Sequence, residues 1–541
     1  VAAAGAVSAT APRESFTAEE RAALEPYFTN VDGPVFCLVD LPEVVKGALF
    51  ARYSRSAKSL RRLFLDEFHD RVETARTAPA AAGIARAEQL YERVFLEYGD
   101  DSVAQLGAVH LACEGVSNLL TKALEWGRLM AYLEQSTRYV PYTDRPGGHW
   151  RYHVPRELVG TPQEPRYREA LDAAFATYAR WLDPLQEHLR RLHPQEPGTS
   201  AGVYRRAIQA KALDALRGLL PAATEANVGI FGSGQAYESL LLRLRAHPLA
   251  EARDTAALML EELRKVIPAF LRRVDLPDRG VRHSAYLAEA RDEIERTARE
   301  LLAGEEPQEQ PEVVLTDFDP EGEIKVVAAA LYAVSGLPDA QLERRARAMT
   351  AEERAAVLRA YVGRRDNRRH KPGRAFERTS YRFDVLADYG AFRDLQRHRL
   401  LTLEWQPLST RHGFHVADSI REVGALDEFR EVMRRTAEVH GELASRIETA
   451  PAAGYVVPMA YRVRFYMELN AREAMHLIEL RTAPQGHASY RRVAQRMHRL
   501  IAEQAGHTAI AESMRFADHG AVELERLEAE RAAERRRDGG R

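Results

Sequence analysis

The sequence predicts a helix-rich α+β protein made of two related lobes, each a small twisted sheet packed with long helices. Three observations lead there. Apolar residues recur at three- and four-residue spacing along most of the chain, the pattern of amphipathic helices. Short stretches with strand character interrupt it, VVLTDFD at 313–319 and RTSYRFDVLADY at 378–389. And two segments in opposite halves look like divergent copies of one anion-binding unit: WGRLMAYLEQSTRYVPY at 126–142 and LQRHRLLTLEWQPLSTRHGF at 395–414. A repeat of about 250 residues is a domain duplication, because solenoid periods run about 20–50 residues.

Taken in order, residues 1–16 read as a disordered lead-in, and Ser15 or Thr17 is the N-cap candidate for the first helix, with acidic residues in its first turn. Helical periodicity then covers 57–77, 84–98, 166–193, 204–220, 250–273 and 284–303. The Pro- and Gln-rich acidic stretch AGEEPQEQPEVV at 303–314 lacks apolar periodicity and reads as the linker between a first lobe, 17–302, and a second, 313–520. Beyond the strand at 313–319 come helices at 323–334, 339–348 and 350–363, then a strand passing into a helix at 378–389. Helices at 425–449, 462–481 and 487–504 close the second lobe, and the Glu/Arg-rich tail, 521–541, reads as a solvated, fraying helix.

The 541 residues are 45% hydrophobic, ample for large cores, and a net charge of −2 gives no footprint for nucleic acid or an anionic membrane. Most cations are Arg, whose planar fork suits phosphate. Cys37 and Cys113 are too few for a disulfide framework or a zinc site, and both read as reduced core residues. No apolar run reaches the roughly 20 residues that span a bilayer. The opening VAAAGAVSATAPRES lacks a basic region and a long apolar core, so it makes a poor signal peptide and a cytoplasmic protein is expected.

Arg397, His398 and Arg399 place three donors in one short segment, with Ser409 and Arg411 following. A bare basic triplet is more often a solvated turn; the Ser/Thr/Arg segment behind it favours an anion site. On the predicted helix 462–481, Asn470 and Arg481 stand three turns apart on one face, with Arg472 and His476 an i,i+4 pair beside them. His370 and Glu377 precede a hydrophobic segment. FGSGQAY at 231–237 suggests a phosphate loop but lacks a third glycine and a βαβ setting. There is no HExxH, Walker A or GxSxG motif, and no metal site is expected.

Together these segments resemble flavin-dependent thymidylate synthase, in two tandem copies at roughly 30–285 and 310–520. The fold expected is therefore two thymidylate-synthase-complementing-type lobes. The second copy matches the family at His370, Arg397, His398, Arg399, Asn470, Arg472 and His476, which the resemblance assigns to flavin, and at Arg481, which it assigns to contact with the uracil nucleotide and its activation. Its nucleotide loop departs: Pro407 falls where the family has Ser, Ser409 and Arg411 come late, and Gly454 stands where an Arg usually precedes Pro458. The first copy is the reverse. Arg128, Glu134, Ser136, Arg138, Tyr139 and Arg217 match the nucleotide-binding pattern, but Trp126-Gly127 replaces Arg-His, and Asp100 and Gln105 replace His and Glu around Ser102. Gly232 or Gly234 takes the place of the helix Asn, according to whether Arg243 or Arg245 is aligned to the final Arg.

The resemblance implies FAD-dependent reductive methylation of dUMP to dTMP, with methylenetetrahydrofolate and NADPH as co-substrates. The family builds its sites in a homotetramer, and the opposite losses of the two copies lead us to expect a homodimer of two-lobed chains in its place, with sites composed from both lobes. Two other functions remain open: a flavoenzyme acting on another pyrimidine or on a uracil in RNA, and a non-catalytic binding protein descended from such an enzyme.

Overall fold

The structure is a computed structural model that describes residues 15–33, 36–53, 58–70, 72, 105–524 and 526–538. The expected helix at 84–98, Asp100 and Ser102 lie outside these. In chain order the first copy contains β1 (Ala108–Ser117), α1 (Asn118–Leu124), β2 (Met130–Glu134), the long helices α2 (Glu164–Leu192) and α3 (Ala201–Leu216), then β3 (Glu225–Ser233) and α4 (Gly234–Arg245). The second contains β4 (Val313–Phe318), β5 (Ser380–Asp388), α5 (Tyr389–Gln396), β6 (Thr402–Trp405), the long α6 (Leu426–Ala444), β7 (Arg462–Asn470), α7 (Ala471–Arg481) and α8 (Ala488–Glu503), and is followed by α9 (Leu527–Asp538). The sheets are ordered β1-β3-β2 and β4-β5-β7-β6. So β5-β7-β6 repeats β1-β3-β2, and among the described residues only the second sheet has a further strand, β4, at the β5 edge. The duplication read from the sequence is present in the topology.

The chain packs as two compact units that cut across the copies. One comprises Val1–Cys113, Leu129–Leu133 and Gly229–Leu301, the other Glu114–Arg128, Glu134–Val228 and Leu302–Arg541. In the first unit Thr17, not Ser15, caps helix Ala18–Leu24, in a capping box with Glu20. The predicted helix at 57–77 is, over the described residues, a turn of α-helix at Leu60–Leu63 running into a π-turn at Phe64–Phe68. The predicted 250–273 helix stops at Arg264, because Pro268, with no N–H to donate, opens a separate 3₁₀ stretch, Pro268–Asp275. Cys37 is exposed rather than a core residue, while Cys113 is buried. Nor is FGSGQAY a phosphate loop. A methyl at Gly232 would lie 2.6 Å from Met130 Cε, and one at Gly234 2.8 Å from Phe270 Cβ, so these glycines make room for side chains.

The second unit holds the four-stranded sheet. β5 and β7 pair antiparallel from Ser380↔Asn470 to Asp388↔Arg462, and β6 pairs β7 from Thr402↔Glu468 to Trp405↔Phe465. The predicted helix 462–481 is therefore β7 followed by α7. RVRFYMELN alternates, burying Val463, Phe465, Met467 and Leu469, and period two sets its conformation. Strands β5 and β7 each end on a polar N-cap. Asp388 accepts from Ala391 N (2.9 Å) and Asn470 from Glu473 N (2.9 Å). Ser117 and Ser233 cap α1 and α4 in the same way. These caps fix the correspondence of the copies: Ser233, not Gly232 or Gly234, answers to Asn470, and Leu244 falls where Arg481 stands. The tail is not a loose solvated helix. On α9, Glu530 accepts from Arg206 (2.7 Å) and Arg531 pairs with Glu196 (2.7 Å). No helix among the described residues is long and apolar enough to cross a membrane.

Candidate functional site

The end of α3 and the segment before β7 are joined by backbone. Ala222 N donates to Val457 O and Met459 N to Leu220 O, both at 2.9 Å, across an antiparallel bridge between Pro221 and Pro458. This pairing lays the first copy's Arg217 beside the second copy's α5. Arg217 Nη1 is 3.6 Å from the Asp394 carboxylate, and Arg481 Nη1 is 4.0 Å from it. Arg397, one residue past α5, pairs with Asp394 too and reaches Glu134 of the first copy at 3.5 Å. Glu134 is fully buried. Arg393 meets it at 2.7 Å and Lys122 at 3.2 Å, and Lys122 also holds Glu125 at 2.5 Å. Burial opposes the Glu134 charge, but Arg393, Lys122 and Arg397 outweigh it and hold the carboxyl at about 2. Asp394 is likewise held far below the usual carboxylate range, the charges of Arg397, Arg217 and Arg481 overcoming burial.

Arg138 is fully engaged. Its Nε and Nη2 grip Asp214 at 2.6 and 2.5 Å, and Nη1 donates to the Tyr490 hydroxyl at 3.1 Å. Ser136 Oγ accepts from Arg138 N at 3.3 Å. A cavity of about 650 Å³ opens in this unit, lined by Asp214, Arg217, Asp388, Met459 and His487 among others. Arg217 Nη2 is buried without a hydrogen-bond partner.

The remaining second-copy residues surround α7. Arg481 Nε donates to His398 Nε2 (3.0 Å), so Nδ1 of that neutral ring carries the proton and donates to Glu473 (2.9 Å). Burial pushes His398 down to about 4, while Glu473, despite burial, is held at about 2 by its bonds to His398 and His476. His476 meets the other Glu473 oxygen at 3.2 Å. The ligand atoms of His398, Glu473 and His476 lie within 4.8 Å of one another, a metal-sized grouping, but His398 already uses both nitrogens. Arg472 donates to Pro372 O at 2.9 Å, and exposed His370 stands in the same loop. That loop is braced from below by Arg365, 1% exposed, which forms a bidentate pair with Glu479 of α7 at 2.7 and 2.5 Å.

Sequence reasoning missed Lys122, Glu125, Asp214, Arg365, Arg393, Asp394, Glu473 and Glu479. Arg393 and Asp394 could have been found, since they stand one helical turn before Arg397. The others needed the fold. Of the expected residues, Glu134, Arg138, Arg217, Arg397, His398, His476 and Arg481 converge on one network. Arg399 is exposed, and Arg472 and His370 sit at its edge. Ser409 and Arg411 do not join it: Ser409 is buried with its hydroxyl unpartnered, and Arg411 is exposed.

Counting from the caps shows why. Trp126 corresponds to Arg397 and Trp405 to Glu134, and where one set forms an ion pair the other packs edge to face at 5.8 Å. Gly454 corresponds to Arg217 and Leu119 to Gly390. Arg217 Nη2 would lie 3.1 Å from a methyl at Gly390, and Leu119 Cδ2 3.4 Å from one at Gly454. Ala123 takes the place of Asp394. Of these positions Glu134, Arg217, Asp394 and Arg397 are charged and their counterparts Trp405, Gly454, Ala123 and Trp126 are not, while Lys122 and Arg393 correspond to each other and both serve Glu134.

A family model described as thymidylate synthase complementing protein matches residues 48–269 and again 313–505. The UPF0159 protein of Chlamydia pneumoniae is 37% identical over 96% of this chain and 98% of its own. That of Thermoplasma acidophilum is 32% identical over 90% of this chain and 97% of its own. A crystal structure of a UMP/dUMP methylase, PolB from Streptomyces cacaoi, bound with 5-Br dUMP, matches 38% of this chain and 96% of that one, at 24% identity and a TM-score of 0.28. Through both of its halves, the chain belongs to the thymidylate synthase complementing protein family, as two tandem copies in one polypeptide.

Proposed function

We propose that this protein is a flavin-dependent enzyme that reductively methylates dUMP to dTMP, with methylenetetrahydrofolate and NADPH, at one composite site per chain. The observation that carries the reading is the meeting of Glu134, Arg138 and Arg217 of the first copy with Asp394, Arg397, His398 and Arg481 of the second. The counterpart positions hold Trp405, Ser409, Gly454, Ala123, Trp126, Gly127 and Leu244, which offer a nucleotide no charge. The cavity beside Arg217 has the volume of a small-ligand pocket.

The residues present also fit a dinucleotide cofactor. Exposed His370 and Arg472, which donates to Pro372 O at 2.9 Å, bring donors to the edge of α7, and Lys371 beside them is lowered chiefly by burial, with Glu473 opposing and Arg472 and Arg368 adding to the shift. Arg397, Arg399, Asn470, Arg472, His476 and His370 are the residues that would hold FAD, which supplies the redox chemistry when bound. Arg481 does its work by position. It is 14% exposed in its side chain, and its Nε is fixed on neutral His398. A guanidinium held in so dry a place stabilises negative charge developing on a pyrimidine ring. Glu473 fixes the tautomer of His398 and thereby the orientation of Arg481.

A second reading is favoured by one observation. The guanidinium groups of Arg138, Arg217, Arg397 and Arg481 already face protein carboxylates, which suits a binding protein or an enzyme for a different pyrimidine. The visible spectrum of the purified protein after incubation with FAD and dialysis, followed by release of tritium from the ring C5 of labelled dUMP, separates the two. Flavin absorbance with folate- and NADPH-dependent release is expected. A protein that retains no flavin overturns the reading, as does calorimetry that counts two nucleotides per chain.

A further inference from the structure

Arg138 cannot be the net positive charge of its surface, because Asp214 neutralises it in a bidentate pair. The uncompensated cation there comes from the tail. Arg526, the residue before α9, lies over the ring of Tyr139 with its guanidinium carbon 3.9 Å from the centroid. Among the described residues no carboxylate forms an ion pair with it, and its Nε is buried without a hydrogen-bond partner. Its nearest acidic influence, Glu530, is already spent on Arg206 at 2.7 Å. Burial and then the neighbouring Arg138 push Arg526 down to about 10, so it stays charged at neutral pH but in a setting that disfavours a lone cation.

α9 holds this side chain in place. Arg531 donates to Glu196 at 2.7 Å, and Ser200 Oγ donates to Glu534 at 2.6 Å, fastening the helix to the start of α3. The segment just before it lends Val522 and Glu523 to the wall of the cavity that Arg217 lines. A half-buried guanidinium with no protein anion, flattened on an exposed tyrosine and set beside a neutralised arginine, wants a mobile anion.

We propose that Arg526 is a substrate-binding residue that, with Tyr139 and Ser136, receives the phosphate monoester of the mononucleotide. This rests on the nucleotide-binding reading above and deepens it: the tail, which lies outside both family-model matches, completes the site.

Calorimetry of the full-length protein with dUMP and with deoxyuridine tests it. Arg526→Gln should weaken dUMP at least about tenfold, the worth of a charge-assisted contact, and leave deoxyuridine unchanged. Arg526→Lys should recover part of the loss, and Tyr139→Leu, a change at a half-exposed ring, should weaken dUMP less than Arg526→Gln does. Undiminished dUMP affinity in Arg526→Gln overturns the subsite and leaves the nucleotide-binding reading standing. Equal losses for dUMP and deoxyuridine would make Arg526 a structural residue and also overturn it. A wild-type protein with no affinity for dUMP overturns the reading beneath both.

Discussion

Replacing Glu134 with Gln keeps the shape of the side chain and removes its charge from beneath Lys122, Arg393 and Arg397, which meet it at 3.2, 2.7 and 3.5 Å. All but Arg397 of these groups are almost wholly buried, so water cannot replace the lost anion. Breaking a buried pair from one side costs about 3–5 kcal/mol, because the remaining charge is left unpaired. The carboxyl, held below its ordinary value, agrees in direction: Arg393, Lys122 and Arg397 stabilise its charged form against burial. All four tryptophans, Trp126, Trp150, Trp181 and Trp405, belong to the second unit, so tryptophan fluorescence during urea unfolding reports that unit alone. With a slope near 3 kcal/mol per molar, Glu134→Gln should lower the urea midpoint by about 1 M or more. Pairing it with Arg393→Met should recover part of the loss, since the two side chains share one contact. A midpoint shift below about 0.2 M, or a double variant with fully additive loss, would refute the claim that this network is tightly coupled.

Three further outcomes are expected. His398 has its folded value lowered to about 4, so the unfolded chain takes up its proton first; its contribution is complete above about pH 6.5 and is lost as pH falls towards 4. His398→Asn should therefore flatten the fall of the urea midpoint across that window, and an unchanged slope would contradict the neutral, doubly bonded imidazole. Arg481→Ala should lower turnover about 10²–10³-fold while flavin content, read by absorbance, stays level; loss of flavin instead would mark it as a cofactor residue. Trp126→Ala should cost about 2 kcal/mol, less than for a fully buried tryptophan, and leave nucleotide stoichiometry at one per chain, which calorimetry reads directly.

Local sequence carried much of the fold. Periodicity placed most of the long helices within a few residues, and the two family-model matches fall on either side of the acidic, Pro-rich stretch at 303–312. It failed where a stretch could satisfy two periods. RVRFYMELN passed for helix because it runs into a true helix, and the β5 partner it pairs with lies about 80 residues away in sequence.

For the site, the sequence by itself determined which residues each copy keeps and loses: Arg397-His398 against Trp126-Gly127, Arg217 against Gly454. It determined no distances. Only the tertiary structure put Arg217 and Glu134 beside Asp394, Arg393 and Arg397, because the bridge between Pro221 and Pro458 joins segments more than 230 residues apart. Only the structure showed the opposing carboxylates Asp214 and Asp394, and docked the tail so that Arg526 lies on Tyr139. The physical reason is range. Caps and periodicity act within a few residues along the chain, whereas buried charges choose their partners through space, and their cost is set by what else the fold has brought near.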